Sequence, residues 1–168
     1  RISYGLNHMD KTYDYNMTQA ELAGVPVGTY VFSTATSTET ALKEAQLAIS
    51  KMDGYKVSYP VVYDLEYSGM QKLSSTEISR LALTFCNEVR KAGYYPMVYC
   101  NTYWHDTYVD WSLLSGLDVW IARYGDAIQA PDADHYSYTI WQATDGNTAN
   151  RLNSTRGLIP GIPAENDV

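Results

Sequence analysis

The chain has 168 residues, of which 45% are hydrophobic and 18% are charged, a balance typical of one globular domain rather than a disordered segment. Its net charge of −7 disfavours nucleic acid and anionic membrane surfaces as partners, because both attract basic proteins. No stretch approaches the roughly 18 consecutive apolar residues of a membrane span, so we expect no membrane partner.

Predicted strands and helices alternate along most of the chain. Runs of β-branched and aromatic residues led by proline indicate the strands, and apolar residues at helical spacing indicate the helices. In chain order, the predicted elements are a strand end at Arg1–Gly5, a helix at Asp10–Ala23, a strand at Pro26–Ser33, a helix from Thr36 to Met52, a strand at Pro60–Glu66, a helix from Ser74 to Gly93, a strand at Pro96–Asn101, a short helical segment between Thr102 and Leu114, and strands at Val119–Arg123 and Tyr136–Gln142. Residues 143–168 are rich in turn formers.

Several helix ends carry specific boundary signals. Thr36–Glu39 and Ser74–Glu77 each place a Thr or Ser three residues before a Glu, which is the pattern of a capping box. Gly24 and Gly93 follow predicted helices at the position where a left-handed backbone is common. We therefore expect these residues to set the helix boundaries.

The strand-opening prolines indicate the fold class. Pro26, Pro60 and Pro96 follow one another at intervals of 34 and 36 residues, with a predicted helix in each interval. Repeated strand–helix units build a parallel sheet, so the predicted class is α/β, a modified (β/α) barrel of the TIM type. The later strands are separated by little helix, and we expect an irregular second half.

Two acidic residues stand at the end of the third predicted strand. Side chains at i and i+2 of a strand point to the same side, so Asp64 and Glu66 are predicted to share a face. One protonated acid beside one carboxylate is an arrangement that cleaves glycosidic bonds. The alternative is a pair of solvated acids, because the same spacing recurs at residues 132 and 134 and at residues 165 and 167.

The composition also bears on ligands. The chain has 16 tyrosines and 4 tryptophans, whose flat faces and polar tips suit sugar rings as well as a protein core. The three histidines and two cysteines show none of the short spacings typical of metal sites, so we expect no metal and no cofactor. Cys86 is predicted in mid-helix and Cys100 at the far end of the next strand, so both are expected to be free thiols.

Five motifs, in order along nearly the whole chain, resemble one enzyme family. They are Val25–Ser33, Asp64–Glu66, Ala92–Asn101, Trp120–Tyr124 and Ile140–Gln142. Together they are similar to the glycoside hydrolase family 25 muramidases, lysozymes found in bacterial autolysins, phage endolysins and fungal secretions. The resemblance implies a modified barrel, and hydrolysis of the β-1,4 bond between N-acetylmuramic acid and N-acetylglucosamine in peptidoglycan.

The resemblance also implies roles for three acids. Glu66 would be the proton donor. Asp64 would orient the substrate's N-acetyl group or stabilise the oxocarbenium-like centre. Asp167 matches the aspartate of the family's closing strand.

Five further side chains are expected to line the sugar groove. They are Tyr30, Tyr99, Trp120, Tyr124 and Gln142. Trp120 and Tyr124 fall on one face of their strand by parity, and aromatic rings stack on sugar faces. The amide of Gln142 can hydrogen-bond an acetamido or hydroxyl group. The alternative for each of the five is packing inside the barrel.

The family's first strand has the form Asp-Val-Ser-x-x-Gln-Gly, and the resemblance begins after it. We therefore expect residues 1–168 to be a single catalytic-type domain that lacks this strand and the end of the last one. Such a protein would be a monomer acting on peptidoglycan glycan strands. It would be secreted, associated with the cell wall or encoded by a phage as a lysin, and the sequence carries no signal-peptide pattern.

One alternative function stays open, and a second does not fit the sequence. A non-catalytic glycan-binding domain could use the same barrel, since the aspartate of the family's first strand belongs to the active site. A chitinase-like hydrolase would need a longer run of acids ending in Glu. Pro60 and Val62 precede Asp64 here, and that run does not fit.

Overall fold

Strands and helices follow one another in nearly the predicted order. The computed structural model describes residues 1–124 and 129–145. The strands are β1 (Ser3–Tyr4), β2 (His8–Met9), β3 (Val27–Phe32), β4 (Val57–Asp64), β5 (Pro96–Asn101), β6 (Asp118–Ala122) and β7 (Ile140–Gln142). The helices are α1 (Tyr13–Leu22), α2 (Thr38–Met52), α3 (Ser75–Lys91) and α4 (Thr102–Tyr108), with 3₁₀ segments at Ser68–Lys72 and Trp111–Leu113.

One sheet contains all of these strands, in the order β2-β1-β3-β4-β5-β6-β7. Every neighbouring pair is parallel except β1 and β2, which are antiparallel. Parallel neighbours joined by helical crossovers confirm the predicted α/β class. The carboxyl ends of the parallel strands consequently meet at one edge of the sheet.

The main hydrophobic core lies between the sheet and the helices. Val61, Tyr63 and Leu65 point from β4 and the residue after it into this core, and all three are fully buried. Tyr63 stacks on Phe85 of α3 with ring centroids 4.2 Å apart. The buried face of α3 includes the apolar residues Ile78, Leu81, Ala82, Phe85 and Val89. Burial of these apolar side chains is the main stabilising contribution to the fold.

The opposite face of the sheet carries a second, smaller cluster. Its buried members are Val62, Met97, Tyr99 and Ala122, with Tyr30, Trp120 and Tyr124 packed against them. Alternate residues of one strand point to opposite faces, so Val62 and Asp64 lie on this side while their neighbours join the main core. We call this side of the sheet the site face.

The second predicted capping box is present and the first is not. Ser74 Oγ accepts from the backbone N–H of Glu77 (3.3 Å), and the Glu77 carboxylate accepts from the Ser74 N–H (2.8 Å). The prediction of a box at Thr36 is wrong, because Ser37 caps α2 and accepts from the Thr40 N–H (3.2 Å). The cap lies one residue later than expected, and Glu39 instead pairs with Lys43 (2.7 Å).

Three other elements also begin or end at residues that differ from the prediction. β4 begins at Val57 rather than Pro60 and ends at Asp64, so Glu66 follows the strand rather than belonging to it. α1 begins at Tyr13 rather than Asp10, because the Asp10 carboxylate accepts from the Thr12 N–H (3.0 Å) and forms a turn. β7 begins at Ile140 rather than Tyr136.

A buried glutamate joins α2 to the carboxyl end of the sheet. Glu44 is fully buried, and its Oε2 lies 2.8 Å from the hydroxyls of both Ser33 and Tyr63. Its Oε1 accepts from the Thr34 N–H (2.9 Å). Burial raises the pKa of Glu44, and the three hydrogen bonds act in the opposite direction.

Cys86 and Cys100 are free and buried, which confirms the prediction of free thiols. Burial raises the pKa of Cys86 to about 12 and the pKa of Cys100 well above its usual range. Among the described helices, none is both long enough and apolar enough to cross a membrane.

Candidate active site

One row of residues crosses the site face at the level of the acidic strand end. The strand register aligns Tyr4, Phe32, Asp64, Tyr99, Trp120 and Ile140. Neighbouring strands lie about 4.8 Å apart, so Asp64 has an aromatic neighbour on each side. Tyr4 stacks on Phe32 with ring centroids 4.5 Å apart and an interplanar angle of 8°. Tyr99 meets Trp120 edge to face at 5.0 Å. The row combines a carboxylate with apolar ring surfaces.

Glu66 lies two residues beyond the end of β4 and reaches towards β5. Its Oε1 accepts from the backbone N–H of Asn101 (3.1 Å) and from the side-chain amide of the same residue. Asn101 shares strand parity with Tyr99, so this contact places Glu66 on the site face. Asp64 is buried and Glu66 is half-buried. The structure therefore brings the two predicted acids to the same side, although only Asp64 belongs to the strand.

Asn101 connects the start of α4 to Glu66 at this edge of the sheet. It is the last residue of β5 and also the N-cap of α4, where its Oδ1 accepts from the Trp104 N–H (2.9 Å). The amide group of the same side chain donates to Glu66. Because Oδ1 is occupied by the cap, the amide nitrogen is directed at the carboxylate.

The predicted groove residues gather beside the two acids. The Tyr99 and Tyr124 hydroxyls lie 3.5 Å apart, and Gln142 Nε2 donates to the Tyr124 hydroxyl (2.9 Å) and the Thr144 carbonyl (3.3 Å). Burial raises the pKa of Tyr99, and the negative charge of Glu66 raises this pKa further.

Tyr30 and Trp120 belong to the same cluster on the site face. All five residues predicted for the groove are thus on one side of the sheet, as are Asp64 and Glu66. Asp167 lies outside the described residues. His105, Asp106 and His135, whose ligand atoms could hold a metal ion, belong to α4 and the loop before β7 rather than to this row.

Comparison with known families identifies the family to which the chain belongs. The sequence profile described as "Glycosyl hydrolases family 25" matches residues 1–151. The chain belongs to glycosyl hydrolase family 25. Comparison with the curated proteins finds no match.

Several solved structures share the fold of this chain. The CTP1L endolysin superposes with a TM-score of 0.76 at 26% identity, covering 97% of this chain and 53% of that one. The autolysin LytC from Streptococcus pneumoniae, in complex with a synthetic peptidoglycan ligand, gives a TM-score of 0.72 at 22% identity, covering 86% and 36%. The muramidase from Trichobolus zukalii gives 0.67 at 24% identity, covering 88% and 75%. The chain thus spans about half or less of the length of the first two proteins.

Three residues of this candidate site were not among those predicted from the sequence. Asn101 is predicted only as the last residue of a strand, although a polar residue at the end of the strand that follows the acidic strand is a usable signal. Phe32 lies next to Asp64 in the row and Tyr4 lies beyond Phe32, but their strand register depends on pairing between distant segments. Such pairing is not visible in the local pattern of apolar residues.

Proposed function

We propose that this chain is the catalytic domain of a muramidase, which hydrolyses the β-1,4 bond between N-acetylmuramic acid and N-acetylglucosamine in peptidoglycan. The observation that carries the proposal is the position of Glu66, which Asn101 holds on the site face beside Asp64 and Tyr99. Membership of family 25 supports a glycoside hydrolase. The peptidoglycan ligand of the related LytC supports this substrate class.

In this proposal Glu66 is the general acid. Its carboxyl group gives a proton to the glycosidic oxygen while the bond to the anomeric carbon breaks. Asp64 stabilises the positive charge that develops at that carbon or orients the N-acetyl group of the substrate. Asp167 remains a predicted third acid.

Tyr99, Trp120, Tyr30 and Tyr124 line the groove in this proposal, and their rings pack against sugar faces. Both amide hydrogens of Gln142 are already used, one by Tyr124 and the other by Thr144. Gln142 therefore acts by positioning Tyr124 rather than by donating to the sugar. We further propose that the protein acts on cell walls as an autolysin or a phage lysin.

The test is hydrolysis of purified cell walls by the whole protein and by Glu66→Gln. Borohydride reduction of the released fragments identifies the sugar at the new reducing end, which for a muramidase is N-acetylmuramic acid. Removal of a general acid lowers the rate roughly 100-fold or more, and the same loss is expected here. The matched control is Glu39→Gln, which removes the same charge from an exposed residue of α2 and should keep the wild-type rate.

Each alternative gives a distinct result. Binding of cell walls without any release of fragments by the wild type would identify a glycan-binding domain instead. Faster hydrolysis of chitin oligomers than of cell walls, with the two substrates assayed in parallel, would make the substrate chitin. Wild-type rates in Glu66→Gln would remove Glu66 from the catalytic role.

A further inference from the structure

A group of three potential metal ligands lies on α4 and the loop that precedes β7. Asp106 Oδ1 is 2.9 Å from His105 Nδ1 and 3.1 Å from His135 Nε2. The ligand atoms of the three residues all lie within 4.8 Å of one another. Residue 135 is far from residues 105 and 106 in the sequence, so no local spacing pattern reveals the group.

These separations approach those of ligands around one tetrahedral metal ion. Bonds of about 2.0–2.1 Å to Zn²⁺ in tetrahedral geometry place neighbouring ligand atoms about 3.3 Å apart. The two distances from Asp106 differ from this value by a few tenths of an ångström. The side chain of His135 is 60% exposed, which leaves it room to close the remaining gap to His105.

The surroundings of the three ligands hold their orientation. The Tyr136 hydroxyl donates to Asp106 Oδ2 (2.8 Å), leaving Oδ1 directed at the two imidazoles. Trp111 stacks on the His105 ring at 4.5 Å, and its Nε1 donates to the His105 carbonyl (3.1 Å). Tyr136 also packs edge-on against His105 and His135. Hydrogen-bonded carboxylates and fixed imidazole rings are the usual supports of metal ligands.

The ligand chemistry and exposure favour one class of ion. Two imidazole nitrogens with one carboxylate oxygen suit Zn²⁺ and similar transition metals, whereas Ca²⁺ and Mg²⁺ prefer oxygen ligands alone. The side chain of His105 is only 10% exposed, while that of Asp106 is 42% exposed. An ion bound here would rest against a buried imidazole and keep its fourth position open to water.

We propose that His105, Asp106 and His135 form a binding site for Zn²⁺ or a similar divalent transition metal, which links α4 to the loop before β7. Tyr136 is a positioning residue of this site. The site does not depend on the proposed muramidase activity, because none of these residues belongs to the row on the site face.

The experiment is equilibrium dialysis of the chelator-treated protein against Zn²⁺ alone, with the bound metal counted by atomic absorption. Wild type is expected to bind one zinc ion per chain. His135→Ala and Asp106→Asn should each weaken binding more than tenfold, and Tyr136→Phe should weaken it about tenfold. The matched control is His8→Ala, which removes the exposed histidine outside the group and should bind like wild type.

Thermal unfolding with and without Zn²⁺ is the second measurement. A ligand that binds only the folded state raises the melting temperature, so zinc should raise Tm for wild type and not for His135→Ala. His135 is exposed, so this variant should fold even if Asp106→Asn does not. The proposal is overturned if wild type binds no zinc, or if His135→Ala binds it as tightly as wild type.

Discussion

Substitution of Asn101 separates the stability of α4 from the positioning of Glu66. The side chain uses its oxygen to cap α4 at Trp104 and its nitrogen to hold the Glu66 carboxylate. Asn101→Ala removes both interactions. Asn101→Ser keeps an N-cap oxygen, but its side chain is too short to reach Glu66 as the amide does.

The structure sets the expected magnitudes. Loss of an N-cap costs about 1 kcal/mol, so Asn101→Ala should be less stable than Asn101→Ser by about that amount. Glu66 is protonated when it acts as the general acid, and a hydrogen bond between uncharged groups contributes about 0.5–1.5 kcal/mol. If that amount is lost from the positioning of the acid, kcat falls roughly two- to tenfold in both variants. The Asn101 backbone N–H still donates to Glu66 in both variants, so some activity should remain.

The assay is cell-wall hydrolysis at a temperature where all variants are folded, beside urea unfolding of each. Asn101→Ser should also be combined with Glu66→Gln. If Asn101 acts through Glu66, Asn101→Ser should lower kcat only slightly in a protein that already carries Glu66→Gln. Wild-type kcat in Asn101→Ser would refute the reasoning. An equal loss from Asn101→Ser with and without Glu66 would show that it acts on another group.

Three further predictions concern the scaffold. Because the pKa of Glu44 is raised by burial, its contribution to stability is fully present below the ordinary range of carboxyl pKa values and is lost as the pH rises through the raised pKa. Urea unfolding across this range should therefore show that the free energy of unfolding of the wild type falls by up to about 1.4 kcal/mol per pH unit. This fall should be absent in Glu44→Gln, and the same dependence on pH in both proteins would contradict the prediction. Cys86 and Cys100 are both buried, and burial raises the pKa of Cys86 to about 12. A thiol reagent should therefore react with the two cysteines only after denaturation, when two thiols are counted. Ser74→Ala should lower the free energy of unfolding by about 1 kcal/mol, and a change below a few tenths would mean that the capping box is unimportant.

The parts of this fold that could be predicted are those specified by neighbouring residues. The bounds of β5 were predicted as observed, because Pro96 opens the strand and Asn101 begins the next helix. The capping box at Ser74 is equally local. The start of α2 was misplaced because Thr36, Ser37 and Thr38 are all suitable caps. The choice among them depends on how the buried face of α2 docks on the sheet.

The parts that could not be predicted depend on contacts between distant segments. Tyr63 of β4 and Glu44 of α2 form a hydrogen bond between separate elements, and nothing near either residue in the sequence indicates that pairing. The approach of His135 to Asp106 similarly depends on the path of the loop before β7. The acids at residues 64 and 66 were found because their spacing and the apolar strand before them are local. Their neighbour Asn101 comes from another strand.

The alternation along β4 makes this strand intolerant of insertions and deletions. Tyr63 is fully buried against the helices, whereas Asp64 belongs to the site face. One residue added or removed before Tyr63 would exchange these environments, placing a carboxylate in the apolar core and the tyrosine ring on the site face. Length variants made in this strand should therefore lose folding and catalysis together. The same change at the exposed turn around Gly54, before β4, leaves the alternation intact. A library of single-residue insertions and deletions would show at which residue between Gly54 and Tyr63 a change of length stops being tolerated.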